Sequence, residues 1–232
     1  MSEGAQITHH PVLLEPVLRL MLEGRPGYFL DATFGGGGHT RAILEADAAN
    51  QVVALDCDPE AVARGRQMAA DFPGRLVLHH LNFASLGELE ETGFNGILFD
   101  FGVSSYHFDD AGRGFSFRAD APLDMRLNPG EGLAASEFLR TAERAELVEA
   151  VRDFGEEPRW KRVVRAIEEA RGTAALERTL AFAALVEEAV GRRPGERIHP
   201  ATRTFQGVRI AVNRELEVIE AALPEAFRKL QP

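Results

Sequence analysis

The sequence predicts an α/β fold in which helices cover both faces of a parallel, doubly wound sheet. In the first hundred residues, short apolar runs alternate with segments of helical pattern, and the first run leads into four consecutive glycines. Strands that alternate with helices at this spacing form parallel βαβ units. A purely helical pattern begins after residue 132 and indicates an insertion into this sheet.

Four apolar runs predict the strands of the sheet in order along the chain. The predicted strands are residues 27–33, 51–58, 75–80 and 96–101. Two helices are predicted between them, at residues 39–49 and 60–70. Pro59 suits the first turn of the second helix, because its missing N–H is not needed there.

Beyond residue 101 the alternation stops. Residues 102–130 are rich in Gly, Pro, Asp and Arg, and an irregular segment of this length is typically functional or disordered. Its aromatic residues favour an ordered segment. Residues 133–190 carry apolar residues at i, i+3 and i+4 and predict the helical insertion. A last helix is predicted over residues 205–230, with a kink or restart at Pro224.

The charge of the chain is unevenly distributed. The net charge is −10, but residues 158–214 contain 12 Lys and Arg against 6 Asp and Glu. Such a basic block can bind phosphate groups even on an acidic protein, because screening makes local charge count for more than the total. A solvated helical surface with ordinary ion pairs has the same composition, so charge alone leaves both interpretations open.

The cellular location is predicted from three observations. Cys57 is the only cysteine, which suits a reducing compartment. No apolar run approaches the ~20 residues that cross a bilayer. Residues 1–10 lack the pattern of a signal peptide. We therefore expect a cytoplasmic protein without a membrane partner.

The strongest motif is Asp-Ala-Thr-Phe-Gly-Gly-Gly-Gly-His at residues 31–39, directly after the first strand. Ligands of open parallel sheets bind at the carboxyl ends of the strands. Gly35, Gly37 and Gly38 let a ligand approach the backbone closely. Asp56 ends the second predicted strand, where a carboxylate accepts hydrogen bonds from ribose hydroxyls. These residues predict a nucleoside-containing cofactor.

NAD and S-adenosylmethionine both bind to this layout. A dinucleotide site favours G-x-G-x-x-G and a helix N-terminus that receives pyrophosphate. Here His39 follows the glycines, and Asp31 would repel pyrophosphate but attract a sulfonium or amino group. The residues favour S-adenosylmethionine; an NAD-dependent oxidoreductase and a glycine turn without a ligand stay as alternatives. Residues 100–102 are Asp-Phe-Gly, a triplet that also occurs in protein kinases. The other kinase motifs are missing from the sequence, so we do not expect a kinase.

Two further residues follow strands of the predicted sheet. Phe83 comes after the third strand, where a ring stacks on adenine or belongs to the core. Asp100 ends the fourth strand, where a methyl donor and its substrate should meet. The histidines at positions 9, 10, 79, 80 and 199 have no metal-ligand spacing, and we predict no catalytic metal.

Six motifs in register resemble those of the MraW/RsmH family, the bacterial 16S ribosomal RNA cytosine-N(4) methyltransferases. They are HPVLL at residues 10–14, DATFGGGGH at 31–39, DFGVSS at 100–105, RGFSF at 113–117, PLDMR at 122–126 and HPATRTFQ at 199–206. The resemblance implies a Rossmann-like class I methyltransferase sheet with an inserted helical domain. It also implies S-adenosyl-L-methionine as cofactor and 16S ribosomal RNA of the small ribosomal subunit as substrate.

The resemblance assigns roles to individual residues. Gly37, Gly38 and His39 match the glycine-loop contacts to the cofactor. Asp56 matches the ribose-binding acid and Phe83 the neighbour of adenine. Asp100 matches the acid beside the methionine moiety. His107 stands where the family usually has a Gln cofactor contact.

Together, pattern and resemblance divide the chain into three parts. Residues 1–110 are the first part of the cofactor-binding domain, residues 111–205 the inserted substrate-recognition domain, and residues 206–232 a return helix. The family usually continues with a Gly-Gly turn, a further strand and an Ile-Ser-Phe-His-Ser-Leu-Glu-Asp motif. This sequence stops at Pro232, before that motif, and we therefore expect these strands to be absent. Because of their absence, a catalytically impaired RNA-binding or assembly protein is the alternative function.

A methyltransferase of this kind needs contacts to a single-stranded or flipped base and to phosphates. Asp100, or a carbonyl of residues 101–103, is the predicted acceptor for the cytosine amine protons. Each candidate RNA contact has a structural role as its alternative, and Trp160 is expected to pack between helices. A homodimer is compatible with the sequence. The predicted RNA contacts are Arg113, Phe115, Arg126, Arg203, Arg209 and Asn213.

Overall fold

A computed structural model describes residues 11–192, 195 and 198–231. The chain divides into two compact units. The first unit is Met1–Ser105 together with Val218–Pro232, and the second unit is Tyr106–Glu217. His10, the first residue of the HPVLL motif, lies outside the described residues.

The first unit contains a parallel sheet of four strands. Their order is β3-β2-β1-β4. Strands β2 and β3 lie on one side of β1 and β4 on the other, so the switch point of the topology lies between β1 and β4, and open α/β sheets bind ligands at such a point. The strands are β1 (Tyr28–Asp31), β2 (Gln51–Asp56), β3 (Leu76–His80) and β4 (Gly96–Leu98). All four predicted strands are present, although each is shorter than predicted.

The register brings particular residues to the carboxyl edge of this sheet. Asp31 lies opposite Ala54 on one side and Leu98 on the other. Asp56 lies opposite His80. The residues that follow these positions therefore emerge at one edge, and every functional residue predicted in the first unit comes from this edge.

The sheet is buried on both faces, which is why its strands are almost continuously apolar. Phe29, Val52 and Ala54 pack with Phe34 and Ile43 on one face. On the other face, Leu30, Val53 and Leu55 pack with Leu86, Leu89, Phe94 and Ala226.

Ten α-helices lie in the described part of the chain. They are α1 (Leu14–Leu22), α2 (Gly38–Ala46), α3 (Pro59–Met68), α4 (Ser105–Asp109), α5 (Ala135–Thr141), α6 (Arg144–Val148), α7 (Trp160–Glu169), α8 (Thr179–Val190), α9 (Ala201–Val212) and α10 (Glu215–Lys229). A π-helical segment, Glu149–Phe154, directly continues α6. The predicted helical insertion therefore corresponds to α5 through α8.

The prediction of one helix over residues 205–230 with its kink at Pro224 was wrong. Two helices, α9 and α10, meet at Asn213 and Arg214, and Pro224 lies inside α10. Arg214 adopts a left-handed backbone conformation with φ 50°. The Asn213 side chain accepts a hydrogen bond from Leu127 N–H (2.7 Å) and donates to the carbonyl oxygens of Met125 (2.8 Å) and Arg209 (2.9 Å). Tertiary contacts therefore fix the break eleven residues before the proline.

The core of the second unit depends on a close helix crossing. Gly207 of α9 faces the π-helical segment, and a Cβ atom on Gly207 would lie 1.9 Å from Ala150 O and 2.7 Å from Gly155 N. Beside this crossing, the rings of Phe205 and Phe182 lie 5.3 Å apart, and those of Phe205 and Phe117 4.8 Å apart. Phe117, from the segment that lacks a clear period, thus packs against the core of the second unit.

Candidate active site

Asp31 is the buried carboxylate at the end of β1. Its Oδ2 accepts a hydrogen bond from the Thr40 hydroxyl (2.7 Å), and its Oδ1 accepts one from the Thr33 backbone N–H (3.1 Å). The side chain therefore connects the start of the glycine loop to α2. Sequence reasoning did not single out Thr33 or Thr40, although both lie in or beside the glycine motif.

Asp56 fixes the same loop from the neighbouring strand. Its Oδ2 accepts a hydrogen bond from Gly35 N–H (2.7 Å), and its Oδ1 accepts one from Asp58 N–H (2.8 Å). Gly35 has φ 52°, a left-handed conformation that glycine adopts without strain. The loop after β1 and the end of β2 are consequently held together as one structure.

Gly37 and Gly38 are required by close packing as well as by conformation. A Cβ atom on Gly37, which has φ 75°, would lie 2.5 Å from both Phe34 Cζ and Met68 Cε. A Cβ atom on Gly38 would lie 2.4 Å from Pro11 Cγ. These distances are far inside van der Waals contact, so a larger residue at either position would force the neighbouring side chains to shift.

His39 joins the glycine loop to two other segments. Its Nε2 lies 3.0 Å from the Val12 carbonyl oxygen, and because a carbonyl only accepts, Nε2 carries the hydrogen. Its Nδ1 lies 3.8 Å from Asp100 Oδ2. The Asp100 backbone N–H donates to Thr33 Oγ1 (2.7 Å). The side chain of Asp100 is 51% exposed. The hydrogen bond to Thr33 therefore fixes the backbone of Asp100, while its carboxylate remains accessible.

Three phenylalanines cluster after β3 and β4. The ring of Phe83 lies 5.7 Å from that of Phe99 and 5.7 Å from that of Phe101, and the Phe99 and Phe101 rings are 5.3 Å apart. Phe101 remains exposed, while Phe83 and Phe99 are half-buried. This cluster offers an apolar surface to a flat ring next to Asp100.

The electrostatics at this edge favour a cation over an anion. Burial raises the pKa of Asp31, hydrogen bonds from Thr40 and Thr33 and the nearby His39 oppose the rise, and the negative charge of Asp56 adds to it. Asp56 and Asp100 place two further carboxylates at the same edge. A pyrophosphate would be repelled here, whereas a sulfonium, an amino group and ribose hydroxyls fit the acceptors that are present.

In the second unit, most of the predicted RNA contacts bind other parts of the protein. Buried Arg113 donates to the carbonyl oxygens of Arg126 (3.1 Å) and Leu127 (2.8 Å). Arg126 forms a two-point ion pair with Asp124, at 2.8 and 2.7 Å. Arg209 likewise pairs with Glu215, at 2.8 and 3.1 Å.

The remaining candidates differ in exposure. Phe115 is buried, its ring 5.0 Å from that of the buried His107. Asn213 is engaged at the break between α9 and α10. Arg203 is exposed on α9. RNA contact by these residues, and cofactor contact by His107, stay predictions.

The described residues contain no group of three or more His, Cys, Asp or Glu side chains arranged to hold a metal ion. His79 instead pairs with Glu91 at 2.9 Å, and His80 lies 2.9 Å from the Cys57 carbonyl oxygen. Within the same part of the chain, no helix combines the length and the apolar character that crossing a bilayer requires.

A parallel sheet of this strand order, with a glycine loop after β1 and acids after the neighbouring strands, defines a Rossmann-like class I methyltransferase fold. The model of the MraW methylase family matches residues 6–232, and the chain belongs to that family.

Curated relatives agree with the family match. The chain is 48% identical to a ribosomal RNA small subunit methyltransferase H of Thermomicrobium roseum, over 100% of this chain and 75% of the relative. It is 47% identical to the protein of the same name from Methylobacterium nodulans, over 97% and 67% of the two chains. The corresponding protein of Thiobacillus denitrificans is 46% identical, over 96% and 72%.

Proposed function

We propose that this chain transfers a methyl group from S-adenosylmethionine to the exocyclic amine of a cytosine in 16S ribosomal RNA of the small subunit. The observation that carries the proposal is the exposed Asp100 carboxylate beside the glycine loop. Membership in a methylase family supports the methyl donor, and the names of the relatives support ribosomal RNA as the substrate.

The residues at the carboxyl edge of the sheet fit the parts of this cofactor. Asp56 accepts hydrogen bonds from the ribose hydroxyls, and Phe83 lies against adenine. Gly35, Gly37 and Gly38 keep the loop backbone free of side chains. When bound, S-adenosylmethionine supplies an electrophilic methyl group on a positively charged sulfur, and Asp31 adds to the negative potential that favours this charge.

Asp100 has the properties that the acceptor substrate requires. A cytosine amine is a poor nucleophile, because its lone pair is delocalised into the ring. An acceptor for its protons lets the nitrogen become more tetrahedral, and positioned proton acceptors contribute about 10²–10⁴-fold to rate. The Thr33 hydroxyl holds the backbone of Asp100, and His39 Nδ1 lies beside its carboxylate. The Thr33 contact fixes the backbone position from which the carboxylate is presented.

The test replaces Asp100 by Asn and measures methyl transfer to small subunits from cells that lack this protein. We expect turnover to fall about 10²–10⁴-fold. Mass spectrometry of the ribosomal RNA then checks whether one methylated cytosine disappears in those cells and returns with the wild-type chain. Wild-type turnover in Asp100→Asn contradicts the role of Asp100, and an unchanged methylation pattern contradicts the substrate.

Asp71→Asn is the matched control, because Asp71 is similarly exposed in the first unit and pairs with Arg41 on α2. Calorimetry with S-adenosylmethionine on both variants separates two roles of Asp100. A loss of turnover that matches the loss of cofactor affinity assigns Asp100 to cofactor binding alone. A loss of turnover at saturating cofactor assigns it to the amine.

A further inference from the structure

A cavity of about 700 Å³ opens in the second unit between the start of α7 and the end of α8. Among the described residues that line it, four are cationic and none is acidic. Trp160 also lines the cavity and is half-buried, and its packing between helices stays a prediction. The cationic lining residues are Arg159, Lys161, Arg162 and Arg192.

Neutral acceptors hold the Arg159 guanidinium at this cavity. Its Nη1 donates to the carbonyl oxygens of Val190 and Gly191, the latter at 2.9 Å, and so caps the end of α8. Carbonyl oxygens are neutral, so these bonds hold the guanidinium in place without cancelling its charge. The hydrogen bonds of Arg159 within the described residues use only Nη1 of its side chain, which leaves further donors for a ligand.

Lys161 and Arg162 add two exposed cations that form no ion pair within the described residues. The Lys161 ammonium lies 5.4 Å from the centre of the Trp160 ring, a cation–π contact that favours its position at the cavity. Arg192 faces Glu187 at 3.7 Å, but its own side chain is 66% exposed, and pairs with an exposed partner are weak. The cavity therefore has a surplus of positive charge.

We propose that this cavity binds the sugar–phosphate backbone of RNA, at a place that fixes the register of the substrate and does not read its bases. The assignment rests on the proposed function for RNA as the substrate class. Cations beside an aromatic ring are typical of grooves that follow single-stranded nucleic acid. Phosphate contacts position a nucleic acid without specifying its sequence.

Intrinsic fluorescence tests this proposal directly, because Trp160 is the only tryptophan of the chain. The full chain is titrated at several salt concentrations with a short oligouridylate of about twelve nucleotides, which serves as a probe without base pairing. Oligouridylate should quench Trp160 in the wild type. In Lys161→Ala/Arg162→Ala, affinity should fall about tenfold, and the slope of log K against log salt should shrink by roughly 1.4, since each phosphate contact to a single strand contributes about 0.7.

Arg140→Ala/Arg165→Ala is the matched control, because it removes the same charge from exposed positions that do not line the cavity. Its affinity should stay within about twofold of the wild type. Near-UV circular dichroism checks that each variant is folded. An equal loss of affinity in both double variants, or no loss in either, overturns the proposal.

A second titration, with oligoglutamate of the same net charge, decides between RNA and an acidic protein. If it quenches Trp160 as strongly and with the same dependence on Lys161 and Arg162, the RNA assignment is wrong. Calorimetry with S-adenosylmethionine separates this proposal from the methyltransferase proposal. Loss of RNA affinity in the cavity variant with intact cofactor binding supports the cavity, and a wild type that binds RNA but not the cofactor contradicts only methyl transfer.

Discussion

A fully buried carboxylate of the first unit, Asp31, and a half-buried one of the second unit, Asp124, are used in different ways. In the first unit, Asp31 is buried and pairs with no Arg or Lys of the described residues, and its oxygens accept from a hydroxyl and a backbone amide. In the second unit, Asp124 is paired with Arg126 at two points. A carboxylate that folding leaves without a cation is available to a positively charged ligand, whereas a paired one belongs to the architecture.

The same difference extends to the remaining polar side chains of each unit. Asp56 and Asp100 lie at the edge of the sheet, where hydrogen bonds hold their backbones and side chains toward one loop. Arg113 and Asn213 hold irregular segments by donating to backbone carbonyls. The first unit thus concentrates acceptors at one site, and the second distributes donors over its own loops.

The largest difference in stability between variants of the two units is expected for alanine substitutions at Gly207 and Gly37. In Gly207→Ala, the added Cβ atom would meet backbone atoms, 1.9 Å from Ala150 O, and backbone cannot move aside cheaply. In Gly37→Ala the nearest atoms are the ends of the Phe34 and Met68 side chains, which can shift. We expect Gly207→Ala to lower the free energy of unfolding by about 3 kcal/mol, measured by urea denaturation.

Gly37→Ala should cost less stability, on the order of 1 kcal/mol for the left-handed conformation. It should nevertheless reduce the affinity for S-adenosylmethionine, which Gly207→Ala in any folded fraction should not. Gln206→Ala, at an exposed position next to Gly207, is the stability control. Equal losses of stability at the two glycines would contradict the contrast between backbone and side-chain packing.

The sheet and its acids were predictable because parallel topology converts sequence order into position. Once residues 27–33 and 51–58 are assigned as strands, the acids at or near their ends must emerge at the same edge. No equivalent rule exists for the hydrogen bonds of Thr33 and Thr40, which depend on the exact path of the glycine loop.

The second unit was less predictable, for a physical reason. The sequence does not show whether an arginine of a motif faces solvent or donates to a carbonyl oxygen of its own loop. Arg113 does the latter. The break between α9 and α10 likewise depends on Asn213 contacts with residues more than eighty positions away.

An intermediate effect is expected at the arginines of the second unit. Arg113→Ala should lower the free energy of unfolding by about 2 kcal/mol, because two partly buried carbonyl oxygens lose the charged donor that the buried guanidinium supplies. Arg203→Ala, at an exposed position, should change it by less than about 0.5 kcal/mol. Thermal and urea denaturation measure both. If Arg113→Ala instead leaves stability intact and weakens RNA binding, then Arg113 is a ligand contact and not part of the architecture.

The smallest effects, and the sharpest in sign, concern the two carboxylates. Burial would raise the pKa of Asp124, but the Arg126 hydrogen bonds and charge outweigh it and hold the pKa below its usual value. The stability that this pair contributes is therefore present at neutral pH and is lost as the pH falls below about 4. Asp124→Asn should destabilise the protein by about 1 kcal/mol at pH 7, and the difference from the wild type should shrink on acidification.

Asp31 should respond with the opposite sign. Because burial raises its pKa, the folded state is favoured by protonation, and this contribution is lost as the pH rises through the pKa of the folded state. Asn retains an acceptor for Thr33 N–H and a donor for Thr40, so Asp31→Asn should not destabilise the protein at pH 7 and should stabilise it slightly. Its affinity for S-adenosylmethionine should fall in the same sample, since the negative charge is lost. Urea denaturation from pH 3 to 8 measures the stability of both variants, and calorimetry measures their affinity for the cofactor. If Asp31→Asn destabilises the protein as Asp124→Asn does, Asp31 has a structural role, and the contrast between the two carboxylates is wrong.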